Sequence, residues 1–254
     1  MKRIGPLKER LKNNPYIHRI ELLERFYKFL DKKELIFVNP DKWEDPLENL
    51  IFNAKILKDG KNYINPAKDN IFSQCWSYEG DSYALWKIYT TKLDDNGQLK
   101  RHMGVRITTN LDRLQEITRY NDGDFYYGIV KYLWKYQLDK LPKNKKIIDS
   151  LKITQADKKH IETLLIKRKS YSYEKELRLF SIPNSSLVDK NDKHLCRLNL
   201  KPLDFITSIR FDPGMEYPEF IKNKNKLIDK YGFKRTQITQ STFFKKNKYI
   251  IKID

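Results

Sequence analysis

The chain has 254 residues, enough to bury a full hydrophobic core as one large domain or two small ones. Lys and Arg total 51 against 33 Asp and Glu, and the formal charge of +18 sets a positive field that attracts polyanions. An RNA, DNA or nucleotide partner is therefore one expectation; the plainer one is a lysine-rich composition whose charges are scattered and bind nothing in particular. No apolar run is long enough to span a bilayer, and the basic start MKRIGPLKERLKNNP lacks the apolar core of a leader, so a cytoplasmic protein without a membrane partner is expected.

The first elements alternate strand and helix. YIHRI is β-branched and aromatic, as a short strand requires, and ELLERFYKFL (21–30) places Leu22, Leu23, Phe26, Phe29 and Leu30 at helical spacing. ELIFV (34–38) reads as a second strand ended by Pro40, which offers no ladder donor, and PDKWEDPLEN as a turn-rich loop. IFSQCWSY (71–78) reads as a buried strand. Asp81 or Ser82 can then cap a helix through SYALWKIYT, with Tyr83, Trp86 and Tyr89 on one side.

MGVRITTN is a further strand, LDRLQEI a short helix opened by Asn110 or Asp112, and YYGIVKYLWKY an aromatic strand. DKKHIETLLIKRKS reads as a helix leading into the strand YEKELRLF, which a polar turn separates from LCRLNL. The tail gives strand LDFITSIRFDP, helix EFIKNKNKLIDKYG closed by Gly232, and strand KRTQITQST. With no repeats and no low-complexity linker, the expectation is a single α+β domain over 1–254.

Cys75 and Cys196 lie far apart in apolar strand contexts without metal-ligand spacing, and read as buried free thiols of a reducing compartment. No GxGxxG or GxxxxGK phosphate loop occurs, none of the four histidines sits in HExxH, and there is no GxSxG elbow. No metal cofactor is expected.

Four constellations could carry chemistry. In an extended YEKELRLF strand, Glu174, Glu176 and Arg178 share one face while Lys175, Leu177 and Leu179 share the other. Paired carboxylates raise one another's pKa and can divide the tasks of positioning a nucleophile and stabilising a cation, with Arg178 keeping them ionised. The alternative is a solvated strand face. Arg19 in YIHRI can fork two hydrogen bonds onto a phosphate, with His18 beside it, or be an ordinary surface arginine. In the rigid loop WEDPLE, Trp43, Asp45 and Glu48 can line a pocket, or Asp45 can satisfy its own turn and Trp43 plug the core. Trp76, Ser77, Trp86 and Tyr89 can present flat surfaces to a base or nicotinamide, although helically spaced aromatics more often build core.

In this order, YIHRIELLERFYKFLDKKELIFVNPDKWEDPLEN, QCWSYEGDSYALWKIY, MGVRITTN, LLIKRKSYSYEKELRLF and ITSIRFDPGM resemble the bacterial domain-of-unknown-function family 2971, from about Tyr16 to Phe244. That family is met among phage-defence and toxin–antitoxin proteins and looks like a distant relative of the ADP-ribosyltransferases. The resemblance implies a split, twisted, mixed or antiparallel β-sheet that grips NAD. It also implies a basic residue or histidine on the first core strand, an aromatic or Ser/Thr position on the second, and a glutamate on a later one. Arg19 or His18, the Trp76–Ser77 region, and Glu174 or Glu176 match these positions.

The implied activity is transfer of ADP-ribose from NAD to a macromolecule, which the basic charge suggests is nucleic acid, in a toxin or defence effector answering to an antitoxin or a phage protein. Glu176 would stabilise the oxocarbenium-like ribose while Glu174 orients the attacking group. FSQCWS stands where a clear Ser-Thr-Ser motif would be expected. Two other classes stay open: a non-enzymatic nucleic-acid or protein-binding module, and a nuclease holding a divalent ion on Asp45, Glu48, Glu174 and Glu176.

Overall fold

The computed structural model describes residues 1–243 except positions 50, 51, 53, 59, 64, 66, 95 and 154; Phe244, the end of the span that carries the family resemblance, lies outside the described residues. The fold is α+β, built on one ten-stranded mixed sheet. Its strands, in chain order, are β1 (Lys2–Ile4), β2 (Tyr16–Leu22), β3 (Glu34–Val38), β4 (Phe72–Ser77), β5 (Gly104–Asn110), β6 (Gly123–Ile129), β7 (Glu176–Pro183), β8 (Leu195–Asn199), β9 (Ser208–Phe211) and β10 (Ile238–Gln240). The main path runs β1-β6-β7-β4-β2-β5-β9-β10, with β3 and β8 branching from β4.

The branch divides the sheet. One edge of β4 is fully paired with β7, but the other edge forks: Ser73 pairs with Val38 of β3, and Ser77 pairs with His18 of β2. Between those two rungs the ladder is interrupted, and buried backbone groups left there must find other partners. Side chains supply them. Arg19 donates from NH1 to the Cys75 carbonyl at 2.6 Å, and Gln74 Nε2 donates to the Ile36 carbonyl at 2.9 Å.

Period-two alternation assigns the two faces. One face carries Ile17, Val105, Ile107, Trp76, Leu177, Leu179, Ile209 and Phe211, and packs on helix α1 (Leu23–Lys32) through Phe26 and Leu30. Leu227 and Phe220 of a C-terminal helix join this larger core. The opposite face is covered in two parts. Ile20 packs on Leu85 and Trp86 of helix α2 (Tyr83–Thr90), while Phe180 and Tyr126 pack under Ile161, Leu164 and Leu165. A cleft lies between these parts.

Several elements depart from the sequence expectation. YYGIVKYLWKY is not one strand: β6 stops at Ile129, Lys131–Leu133 forms a parallel pair with Ile166–Arg168, and Lys135–Leu138 is helical. The change of partner is fixed by Val130 N donating to Glu176 O and Lys131 N to Leu165 O. The helix expected over 157–170 closes at Thr163, and LDFITSIRFDP contains a helical turn, Pro202–Phe205, before β9. Ser82, not Asp81, caps α2 by accepting from Leu85 N, and Tyr83 is exposed where Trp86 is buried. Among the described residues no helix is long and apolar enough to cross a membrane.

Candidate functional site

The strand YEKELRLF begins later than its alternation suggests. Lys169–Glu174 forms a 3₁₀ turn, Lys175 sits in the left-handed region at φ 47°, and β7 opens only at Glu176. A left-handed residue cannot continue a pleated strand, so Glu174 reaches Glu176 by a tight reversal rather than by sharing a strand face. The charged face is not solvated either: Glu174, Glu176 and Arg178 are 7%, 3% and 0% exposed.

Burying three charges requires partners, and the partners come from far along the chain. Arg178 donates from Nε to Glu176 Oε1 at 2.9 Å and from NH2 to Glu176 Oε2 at 3.1 Å, and it also bonds Glu48 and the Leu164 carbonyl. Lys167 Nζ lies 2.7 Å from Glu174 Oε2, 3.1 Å from Glu48 Oε1 and 3.4 Å from Glu176 Oε2. The loop WEDPLE thus clamps the strand. Glu48 enters the ion cluster, the Trp43 ring lies 4.1 Å under the Arg178 guanidinium carbon, and Asp45 pairs with Arg168 while accepting from Leu47 N.

The environments of the two adjacent glutamates differ. Burial works to raise Glu176, but the Arg178 and Lys167 charges overcome it and hold the carboxyl at about 2. At Glu174 burial prevails over Lys167, and its pKa is raised. Arg178 therefore does not keep the pair charged, as the sequence spacing suggested; it serves Glu176, and Lys167 serves both glutamates.

The cleft is floored by β2, β4 and β7. Ser77 is the register partner of both His18 and Glu176, so His18, Ser77 and Glu176 form one row across three adjacent antiparallel strands and line the same cleft. Glu174, Cys75, Tyr89 and Arg106 line it too, with Glu79–Ser82 at its lip. Ser77 Oγ donates to the Glu174 carbonyl at 2.6 Å and accepts from Glu79 N at 2.9 Å, tying lip to floor. Its interior volume is about 30 Å³, far below the ~300–1,000 Å³ of small-molecule pockets.

His18 bonds Thr108 Oγ1 through Nδ1 at 3.0 Å. Burial, reinforced by Arg106, Arg10 and Arg210, lowers its pKa to about 3, so the ring is neutral. Cys75 is half-buried in the cleft wall rather than wholly buried, and burial followed by the Glu176 charge pushes its thiol up. Cys196, buried in the core, is raised to about 12 by burial.

Three expected ligand contacts are corrected. Arg19 borders the cleft by its strand, but its side chain turns to the other face, where it bonds Glu21 and fills the split in the sheet. Trp76 turns the same way: Nε1 donates to Gln74 Oε1 at 2.8 Å and its ring meets Phe205 edge-on at 5.8 Å. Both residues border a separate hollow of about 470 Å³ beneath α1. Trp86 is packed under Ile20 and donates from Nε1 to Asp81 at 3.0 Å, so it supports the lip without facing the cleft.

Lys167, Arg106 and Arg210 were not singled out from the sequence. Lys167 carries no local signal, since it sits between Ile166 and Arg168 in a three-residue strand. Arg106 does: a lone charge inside the apolar run MGVRITTN is an anomaly that asks for a partner. Among the described residues no group of three His, Cys, Asp or Glu side chains is disposed to share a metal ion; the Glu48–Glu174–Glu176 group surrounds the Lys167 ammonium. Comparison with protein-family models, with curated proteins and with solved structures gives no match.

Proposed function

We propose that the cleft is an ADP-ribosyltransferase-like site that breaks the nicotinamide–ribose bond of NAD and transfers ADP-ribose to a macromolecular acceptor, as a toxin or defence effector would. The observation that carries this reading is the row His18–Ser77–Glu176. It has a histidine on the first core strand, a serine on the second and a glutamate on a later one, in register and facing one cleft. His18, not Arg19, takes the first position.

The division between the glutamates suits the chemistry. As the bond from ribose C1′ to the nicotinamide nitrogen breaks, its electron pair leaves with nicotinamide, and the ionised Glu176 stabilises the cationic ribose in a water-poor site. Glu174, whose pKa is raised, takes the proton of the attacking acceptor group as the new bond to C1′ forms. Tyr89, 41% exposed at the mouth, offers the remaining flat surface. A cleft of about 30 Å³ does not enclose a dinucleotide, so NAD use requires the Glu79–Ser82 lip to move outward.

A second reading, a non-catalytic module that keeps a degenerate cleft, is favoured by one observation: both Glu176 oxygens are bonded to Arg178. Nicotinamide release from NAD in the presence of RNA, DNA or lysate protein separates the two. The transferase reading expects release and acceptor labelling by the wild type, both lost in a folded Glu176→Gln variant. A wild type that leaves NAD intact with every acceptor sinks it.

A further inference from the structure

Arg106 of β5 and Arg210 of β9 are register partners, on the sheet face that carries His18 and Thr108. Like charges directly opposite one another across antiparallel strands repel. The pair therefore calls for an anion, and the chain provides Asp81. Arg106 NH1 lies 3.3 Å from Oδ1, Arg210 NH1 lies 3.1 Å from Oδ2, and Trp86 Nε1 also donates to Oδ1. One carboxylate is shared by two guanidinium groups and an indole.

That leaves donors over. Arg106 is 7% exposed, yet its Nε makes no hydrogen bond and its NH1 has only the 3.3 Å approach to Asp81, while Arg210 Nε is buried without a partner. Buried guanidinium donors without acceptors are costly, and the free Nε–H of each arginine suits an oxygen of a phosphate group. Burial, then the Arg210 charge, lowers Arg106 to about 10, still a cation near neutral pH. The neighbouring ring of His18 is neutral and adds no competing charge.

We propose that Arg106 and Arg210 form a subsite for a phosphoryl or diphosphate group at the end of this cleft that Arg106 lines, away from the glutamates. Arg106 lines the cleft, and its strand lies three places from the Glu176 strand, roughly 14 Å at the usual strand spacing. The assignment rests on the reading of the cleft as a site for a phosphorylated substrate. It moves the anion from Arg19, where the chemistry of an arginine in the first core strand suggests it, to an arginine pair that the sequence reading does not include.

Calorimetric titration of the full chain with inorganic pyrophosphate tests it, using the wild type, Arg210→Gln, Arg106→Lys and Lys28→Gln. Lys28 borders the hollow beneath α1 and controls for loss of one charge elsewhere. The expected result is saturable binding by the wild type and Lys28→Gln, weakened about tenfold to a hundredfold in Arg210→Gln. Arg106→Lys, which keeps the charge but not the Nε donor, also weakens binding. No saturable binding by the wild type, or equal binding by Arg210→Gln, overturns the subsite. Nicotinamide release is read in parallel: pyrophosphate binding without NAD loss keeps the subsite and drops the transferase reading, while NAD loss undiminished in Arg210→Gln does the reverse.

Discussion

Arg19 and Cys75 are joined by a hydrogen bond of 2.6 Å from a guanidinium to a main-chain carbonyl, at the point where the sheet's ladder is interrupted. The side chain does what a neighbouring strand would do. Replacing Arg19 by Met leaves the Cys75 carbonyl without its donor and Glu21 without its cation, at a cost of about 1–3 kcal/mol. Urea unfolding should show a lower midpoint with an unchanged slope. Full stability together with lost NAD turnover would instead assign Arg19 to the substrate.

Lys167 is surrounded by Glu48, Glu174 and Glu176. Lys167→Met strands those carboxylates around an apolar group, and breaking a buried ion network this way costs about 3–5 kcal/mol. Adding Glu48→Gln to Lys167→Met should recover part of that loss, because one of the unpaired charges is then gone. A double-mutant cycle by chemical denaturation measures the coupling; strictly additive losses would deny the network.

The stability of the fold should fall as the solution is acidified, and His18 accounts for a defined part of the fall. Its pKa is 6.5 when free and about 3 when folded, so the unfolded chain binds the extra proton between those values. The contribution is full above 6.5 and is lost as pH drops toward 3, at about 1.4 kcal/mol per pH unit for one proton. Glu176, lowered from 4.5 to about 2, adds a second loss below about pH 4.5. His18→Gln should flatten the stability profile between pH 6.5 and 4.5. An unchanged slope in that variant would show that His18 is accessible to protons in the folded state.

Trp76 separates the two faces of the sheet. Its ring is 2% exposed and belongs to the larger core, so Trp76→Ala should cost about 3–5 kcal/mol through the cavity it leaves. In Trp76→Phe, which retains most of the packing, nicotinamide release should match the wild type. A selective loss of turnover with normal melting would place the indole against the ligand after all.

The sequence made the strands β2, β3, β4, β5 and β8 legible because each is a short alternating, β-branched or continuously apolar run between clear breakers. It misplaced the segment 163–176, where a run that continues a helical pattern turns into a short parallel strand and then a 3₁₀ turn. Those forms are imposed by partners distant in the chain, Tyr132 and Glu48 among them, and leave no local period. The same limit applied to the site. Glu176, Glu174, Arg178, Glu48 and Trp43 were recognisable as a chemically unusual set, but their counter-ion Lys167 was not. The choice between His18 and Arg19 depends on which face a strand shows, and a shift of one residue reverses it.

The shared carboxylate Asp81 and the surrounded ammonium of Lys167 leave the cleft electrically polar. Around Glu176 three carboxylates outnumber two cations, and around Asp81 two guanidinium groups outnumber one carboxylate. Opposite excess charges three strand spacings apart make a fixed dipole in a low-dielectric wall. A molecule with a cationic ring at one end and phosphates at the other would be turned by that field before touching the protein. Changing it, by Asp81→Asn, which adds to the positive excess, or by Glu48→Gln, which cancels the negative one, alters the orientation in which a ligand arrives as well as the strength with which it is held.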